Sequence, residues 1–377
     1  MLGFPSLRSR MTFLISALAF IVLLSFLVVI HELGHFFAAR RSKVTVEEFG
    51  FGLPPRAKTL FFQGGTRFSL NWIPFGGFVR LKGENAASEH ERRAPGSFGG
   101  APIFSRILIL VAGVLMNFIF AIVIFTLGFS VWQWIPRYES LDSMRAAVTR
   151  GEISMTPGVY VADVRPDGTA STVGIKPQSI ILSIDGVQVF VPNDVVRAQE
   201  GKTEVTYELK EADGSKRMLT VPVADGKTGV ELQFSPDVSA PTRSVLTGFG
   251  LAFREVKVMT VQTVLGIGDL FQSLFIKARV PEGITGIVGI AVLTHDSLQF
   301  GLMPYIRLLA DLSLSLAILN ILPFPALDGG RLVFVLAEMI RRRPAPRKFE
   351  LTTNAVGFVF LLLLILVITY NDIVRLF

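Results

Sequence analysis

The sequence predicts a polytopic α-helical membrane protein with four transmembrane helices, a membrane-associated β-hairpin region and one extracytoplasmic α+β domain. Three observations carry that prediction. Half of the 377 residues are hydrophobic and the mean hydropathy is +0.53, too apolar for a soluble chain of this size. Four apolar runs are each long enough to cross a hydrocarbon core of roughly 30 Å. Between the second and third of them, β-type stretches alternate with turn dipeptides.

Composition excludes several classes. The formal charge is +7, but the Lys and Arg residues gather beside the apolar runs. They read as a topology signal, and no nucleic-acid partner is expected. The chain has no Cys, so disulfides, thiolate metal sites and a Cys nucleophile are ruled out.

The first membrane half is residues 1–135. Arg8 and Arg10 before an apolar stretch resemble a signal peptide. The run is longer than a usual signal core and flows straight into a charged motif with no convincing small-residue cleavage site, so it reads as a retained span over about 12–38. Its last turns hold His31-Glu32-Leu33-Gly34-His35. On a helix His31 and His35 are i and i+4, share a face and can grip one metal ion. Glu32 can then act as general base toward a water. The plainer alternative, a helix end that merely touches water, is disfavoured because ionisable groups at membrane depth are costly.

Residues 44–84 read as strands and turns. Phe68 to Ile73 partly alternates, Pro74 to Gly77 turns, and Phe78 to Leu81 resumes. This hairpin is too apolar for water. It is expected to dip into the interface beside the site, where a free edge could pair with an unwound segment, or else to be a small sheet that only packs. Residues 85–102 read as a mobile polar linker with a solvated His90. The second span is about 107–135. Its Gly113 permits close helix approach, its Asn117 can bond across helices, and Trp132 and Trp134 suit an interface.

Residues 158–223 read as one soluble domain, with turns at Asp185-Gly186 and Asp213-Gly214 and a helix at Asn193–Gln199 capped by Asn193. Residues 243–302 read as an interfacial amphipathic helix through Lys277. A Gly-rich loop, Pro281 to Ile290, follows and is too irregular to span. His295 is a weaker third-ligand candidate than Asp328.

The second membrane half is residues 305–377, with spans at about 305–322 and 353–370. The first continues into Asn320-Ile321-Leu322-Pro323-Phe324-Pro325-Ala326-Leu327-Asp328-Gly329-Gly330-Arg331. The prolines break the helix. A break at membrane depth is tolerated only when packed in protein or lining a cavity. Asp328 there would complete a two-His, one-carboxylate set with a fourth position for water. Its plainer reading is a helix N-cap. Basic residues crowd the loops after spans one and three, so both loops are expected on the cytoplasmic side, with the domain and both termini extracytoplasmic.

Ala170 to Gly174, Ile175 to Ile181 and Ile184-Asp185-Gly186 resemble a PDZ domain, which implies a peptide groove or a size filter. With the H-E-L-G-H and N-x-x-P-x-P-x-L-D-G-G motifs, the whole chain resembles the site-2 protease family of intramembrane zinc metalloproteases, in particular its bacterial regulator-of-sigma-E protease branch. That resemblance implies zinc held by His31, His35 and Asp328, Glu32 as catalytic base, and Asn320 holding substrate or site geometry. It also implies transmembrane-helix substrates in the bacterial cytoplasmic (inner) membrane, such as anti-sigma factors or signal peptide remnants. The branch commonly carries two PDZ domains; one is legible here. The competing readings are an inactive PDZ-bearing scaffold, which has no need for all four motif residues, and a metal transporter, which a base beside a single site fits poorly.

Overall fold

The computed structural model describes residues 7–376 except 85, 87, 212, 225, 235, 236, 278 and 282. The chain divides into two units, Met1–Trp132 with Ser244–Phe377, and Gln133–Arg243.

The first unit opens with α1 (Leu7–Arg41), β1 (Val46–Gln63), β2 (Thr66–Leu81), the single turn α2 (Glu89–Arg92) and α3 (Ile103–Ser130). Helix α3 stops five residues short of the expected end, so Trp132 and Trp134 lie beyond it. α1 and α3 cross antiparallel at two glycines. A Cβ on Gly34 would stand 2.2 Å from the Ala112 carbonyl oxygen, so the backbones touch there.

The hairpin is more folded than its pattern implied. β1 bends at Gly52 to Pro55 and β2 at Pro74 to Gly77, where Gly52 and Gly76 have φ of +79° and +69°. Phe49 consequently pairs with Phe68 on one side and Val79 on the other. The arms stack as four segments, with Phe78 to Leu81 outermost. Glu48 is buried at the centre. Arg56 and Ser69 donate to it at 2.9 and 2.8 Å, and Arg80 stands 3.3 Å away. Burial alone would push the Glu48 carboxyl up; these hydrogen bonds and charges outweigh it and hold it below the usual carboxylate range. Leu60, Phe61, Phe62, Trp72 and Ile73 remain exposed.

The described residues 88–102 correct the linker reading for their part of 85–102. Thr45 N donates to Gly96 O at 2.9 Å and Phe98 N to Lys82 O at 2.8 Å, so the segment is laced to the strands through glycine turns. His90 is exposed, as expected.

After the second unit come α7 (Val245–Lys277), α8 (Ile287–Gln299), α9 (Leu302–Ile321), α10 (Asp328–Arg341) and α11 (Arg347–Leu376); the labels α4 to α6 belong to the second unit. Among the described residues, five helices are long and apolar enough to cross a membrane, the additional one being α7. α7 begins beside the end of α3, where Ser130 Oγ reaches Ser244 O. It buries Glu255 against Arg307 of α9 at 3.2 Å. The Gly-rich stretch is partly helical: its second half starts α8, whose first turn is capped by a distant carboxylate. Asp372 accepts from Gly286 N and Gly289 N at 3.0 and 2.9 Å. His295 bonds Ser16 through Nδ1 at 2.7 Å and is not part of the metal cluster.

The second unit holds α4 (Leu141–Thr149), β3 (Ser154–Thr156), β4 (Val159–Val164), α5 (Thr169–Thr172), β5 (Ile180–Ile184), β6 (Val187–Gln188), α6 (Pro192–Gln199), β7 (Glu204–Lys210), β8 (Lys216–Pro222), β9 (Val230–Gln233) and β10 (Asp237–Ser239). An antiparallel sheet runs β8-β7-β5-β4-β9, with β6 on β5. Val159, Val161, Ile181, Tyr207, Leu209 and Val221 form its core. Burial pushes the Tyr207 hydroxyl up to about 12. Two expectations are corrected. β9 lies beyond residue 223, hidden because its four residues carry no clear alternation. The α6 cap is Val191, and the Asp194 carboxylate accepts from Phe190 N and Val191 N at 3.0 and 3.2 Å; Asn193 is exposed inside the helix.

Candidate metal centre

α1 delivers His31 and His35 one turn apart, facing α3. Across the crossing, Gly113 leaves the room they fill: a Cβ on it would stand 2.4 Å from His35 Nε2 and 2.9 Å from His31 Cε1. The sequence marks Gly113 only as a packing residue.

The third group arrives from the broken helix. α9 stops at Ile321, and Pro323 to Leu327 turn the chain so that α10 begins at Asp328. The cap position falls to Leu327, so the N-cap reading of Asp328 is replaced by a first-turn carboxylate. Gly329 and Gly330 permit that tight return, since a Cβ on either would stand 2.1 or 2.2 Å from the carbonyl oxygens of Leu322 and Phe324.

Three atoms converge. Asp328 Oδ2 lies 2.9 Å from His31 Nε2 and 3.2 Å from His35 Nε2, and the two nitrogens are 3.1 Å apart. Ligands of a tetrahedral zinc ion, with bonds near 2.0–2.1 Å, stand about 3.3 Å from one another. His35 Nδ1 donates to Ile109 O at 2.8 Å, which in the neutral ring leaves the Nε2 lone pair facing His31 Nε2 and Asp328 Oδ2 and available to a metal ion. Both rings are buried, and His31 Nδ1 has no hydrogen-bond partner. The donor set suits zinc, with room for a fourth ligand.

A cavity of about 410 Å³ opens on the cluster and is lined by Glu32, Asn320 and Asp328 among others. Val79 N of β2 donates to Glu32 Oε2 at 2.9 Å, so the hairpin's outermost segment holds this carboxylate and leaves its other oxygen free. The same cavity is lined by Glu84 and Arg331, which sequence reasoning left without a role. Arg331 stands in the quoted motif and was open to notice; nothing in one dimension marks Glu84.

A family description, peptidase family M50, matches residues 19–364. A Fusobacterium nucleatum protein whose name assigns it provisionally to the zinc metalloproteases is 29% identical over 372 residues, covering 97% of this chain and 100% of its own. The zinc metalloprotease RasP of Geobacillus kaustophilus is 26% identical, covering 96% and 98%. The regulator of sigma-W protease RasP of Bacillus subtilis is 26% identical, covering 97% and 100%.

Proposed function

The chain belongs to peptidase family M50, the site-2 proteases, and from that premise we propose how its residues carry out intramembrane zinc-dependent peptide hydrolysis. The convergence of His31 Nε2, His35 Nε2 and Asp328 Oδ2 within 3.2 Å carries the assignment of these three as zinc ligands. Zinc, when bound, supplies Lewis acidity toward the peptide carbonyl and the attacking water. Glu32 takes the proton of that water with the oxygen that Val79 leaves free, and passes it to the departing amine. The hydrogen bond from Val79 fixes the orientation of the carboxylate beforehand. Asn320, which also lines the cavity, holds the substrate backbone. The substrate is a transmembrane segment that unwinds locally to present its carbonyl, in anti-sigma-factor-like proteins or signal peptide remnants.

The protein is a multi-pass membrane protein, and four spans fit its connections. α1 and α9 both end at the site, so they run the same way, and α3 runs back. α7 starts at the end of α3. The chain just after it, at Val280 and Pro281, accepts from Arg375 at the end of α11, the same side of the bundle. α8, at 13 residues, is about 20 Å long and too short to cross back. α7 therefore stays on one side as an interfacial helix. With the basic residues Arg40 to Lys43 and Arg341 to Lys348 cytoplasmic, the site opens nearer that face of the bacterial inner membrane, and the unit Gln133–Arg243 is extracytoplasmic. We assign that unit the PDZ-like role of binding a peptide or screening substrates by size.

The test compares wild type with Glu32→Gln in membranes, each given a tagged single-span substrate with a trimmed outer domain, with and without a zinc chelator. Cleavage by wild type alone, lost on chelation, is expected. Equal behaviour across a broad panel of spans would instead favour an inactive scaffold.

A further inference from the structure

Arg331 lies three residues after Asp328 in α10, so both side chains leave the same helix face, and both line the cavity with Glu32. A guanidinium there is a cation within reach of the Asp328 carboxylate, and it can compete with a metal ion for the same lone pairs. The structure turns it elsewhere: Arg331 Nη1 pairs with Glu84 Oε1.

Glu84 is itself fastened from two directions. Its Oε2 accepts from Leu81 N at 3.3 Å. Arg347 at the head of α11 donates to Glu84 O at 2.9 Å and to Ala86 O at 3.0 Å. The glutamate is 15% exposed, so its charge is only partly met by water. It belongs to the segment running on from β2, the strand whose Val79 holds Glu32.

We propose that Glu84 is a positioning residue that sequesters Arg331, so that Asp328 remains free to ligate the metal. This rests on the reading of Asp328 as a ligand. Without Glu84, a guanidinium left unpaired in a partly buried site turns to another carboxylate of the same cavity, and Asp328 leaves the same face of α10. Without both residues, that competitor is gone. A simple mechanical tie between β2 and α10 gives a different ranking: either single substitution harms equally, and combining them restores nothing.

The experiment follows zinc transfer from zinc-loaded, full-length protein in detergent to a colorimetric chelator at neutral pH. Wild type, Glu84→Gln, Arg331→Gln and the double variant are compared, with cleavage kinetics alongside. Glu84→Gln is expected to release zinc about tenfold faster or more, with kcat lowered and KM unchanged. Arg331→Gln is expected within about threefold of wild type, and the double variant should match it rather than Glu84→Gln. Should Glu84→Gln fail to accumulate, Glu84→Asp, which keeps the charge but shortens its reach, is read against its own double with Arg331→Gln for the same ranking. Equal damage from both single variants, no recovery in the double, or wild-type release from Glu84→Gln overturns the proposal. Glu32→Gln measured in parallel separates the two readings: if it cleaves like wild type, the assigned catalytic roles fail, while the zinc-release ranking still judges Glu84.

Discussion

Replacing Gly113 with alanine adds a single methyl group to α3, and the structure says where it lands. Its Cβ would stand 2.4 Å from His35 Nε2 and 2.7 Å from His35 Cε1, where ordinary contact begins at 3.4 Å. About 1 Å must be found. Moving α3 away would open the close backbone contact between Gly34 and Ala112 at the same crossing, so the His35 ring is the part that gives. Metal–ligand bonds tolerate shifts of about 0.2 Å, and misplacing a catalytic group by about 1 Å costs on the order of 100-fold in rate. Gly113→Ala is therefore expected to lose zinc to a chelator that wild type resists and to cleave about 100-fold more slowly. It should stay folded, since alanine is the better helix former by about 1 kcal/mol. Metal content by mass spectrometry, cleavage of a single-span substrate and thermal unfolding measure the three effects. A variant with one zinc per chain and a rate within about threefold of wild type would refute the geometry.

Asp328→Ala is expected to lose zinc while remaining folded; full zinc retention at neutral pH would remove Asp328 from the site. Glu48 gives a pH dependence. Its carboxyl is held below its ordinary value of 4.5, so the hairpin draws stability from the ionised form above that pH and loses it as pH falls through the lowered value. Hydrogen-exchange protection of β1 and β2 should be flat from pH 7 to about pH 5 and decline in more acid solution, and Glu48→Gln, costing about 2 kcal/mol, should abolish the decline. A decline that survives the substitution would assign it to another group. Excising Gln133 to Arg243 behind a short linker should change which proteins are cut while leaving hydrolysis of a minimal single-span peptide intact; loss of cleavage toward every substrate would mean that the unit's role is misread.

The centre was legible in the sequence to the extent that its groups are local or chemically rare. His31 and His35 are fixed to one face by helical spacing, and Asp328 is conspicuous as a carboxylate beside two prolines and two glycines in an apolar run. The prolines and glycines at Gly52 to Pro55 and Pro74 to Gly77 announced turns, but not that both arms would fold back into four segments, since that depends on pairing between distant residues. Glu84 and Val79 were invisible because their roles arise from tertiary hydrogen bonds to single atoms. Helix α7 shows the limit of composition: its length and apolarity suffice for a span, and only the positions of its two ends argue otherwise. β9 escaped because a four-residue strand carries too few alternations to register.

The start of α10 at Asp328 has an electrostatic consequence. The first turn of a helix presents N–H groups with no carbonyl partners within the helix, and the aligned peptide dipoles place partial positive charge there. A carboxylate in that turn is stabilised by roughly 0.3–1 kcal/mol or more when partly buried. By interrupting one helix and beginning another inside the protein, the chain builds a local positive field for its only acidic member of the metal cluster. On the proposed assignment of Asp328 as a metal ligand, this field would support its negative charge before a cation binds and keep an anionic landing point ready for it.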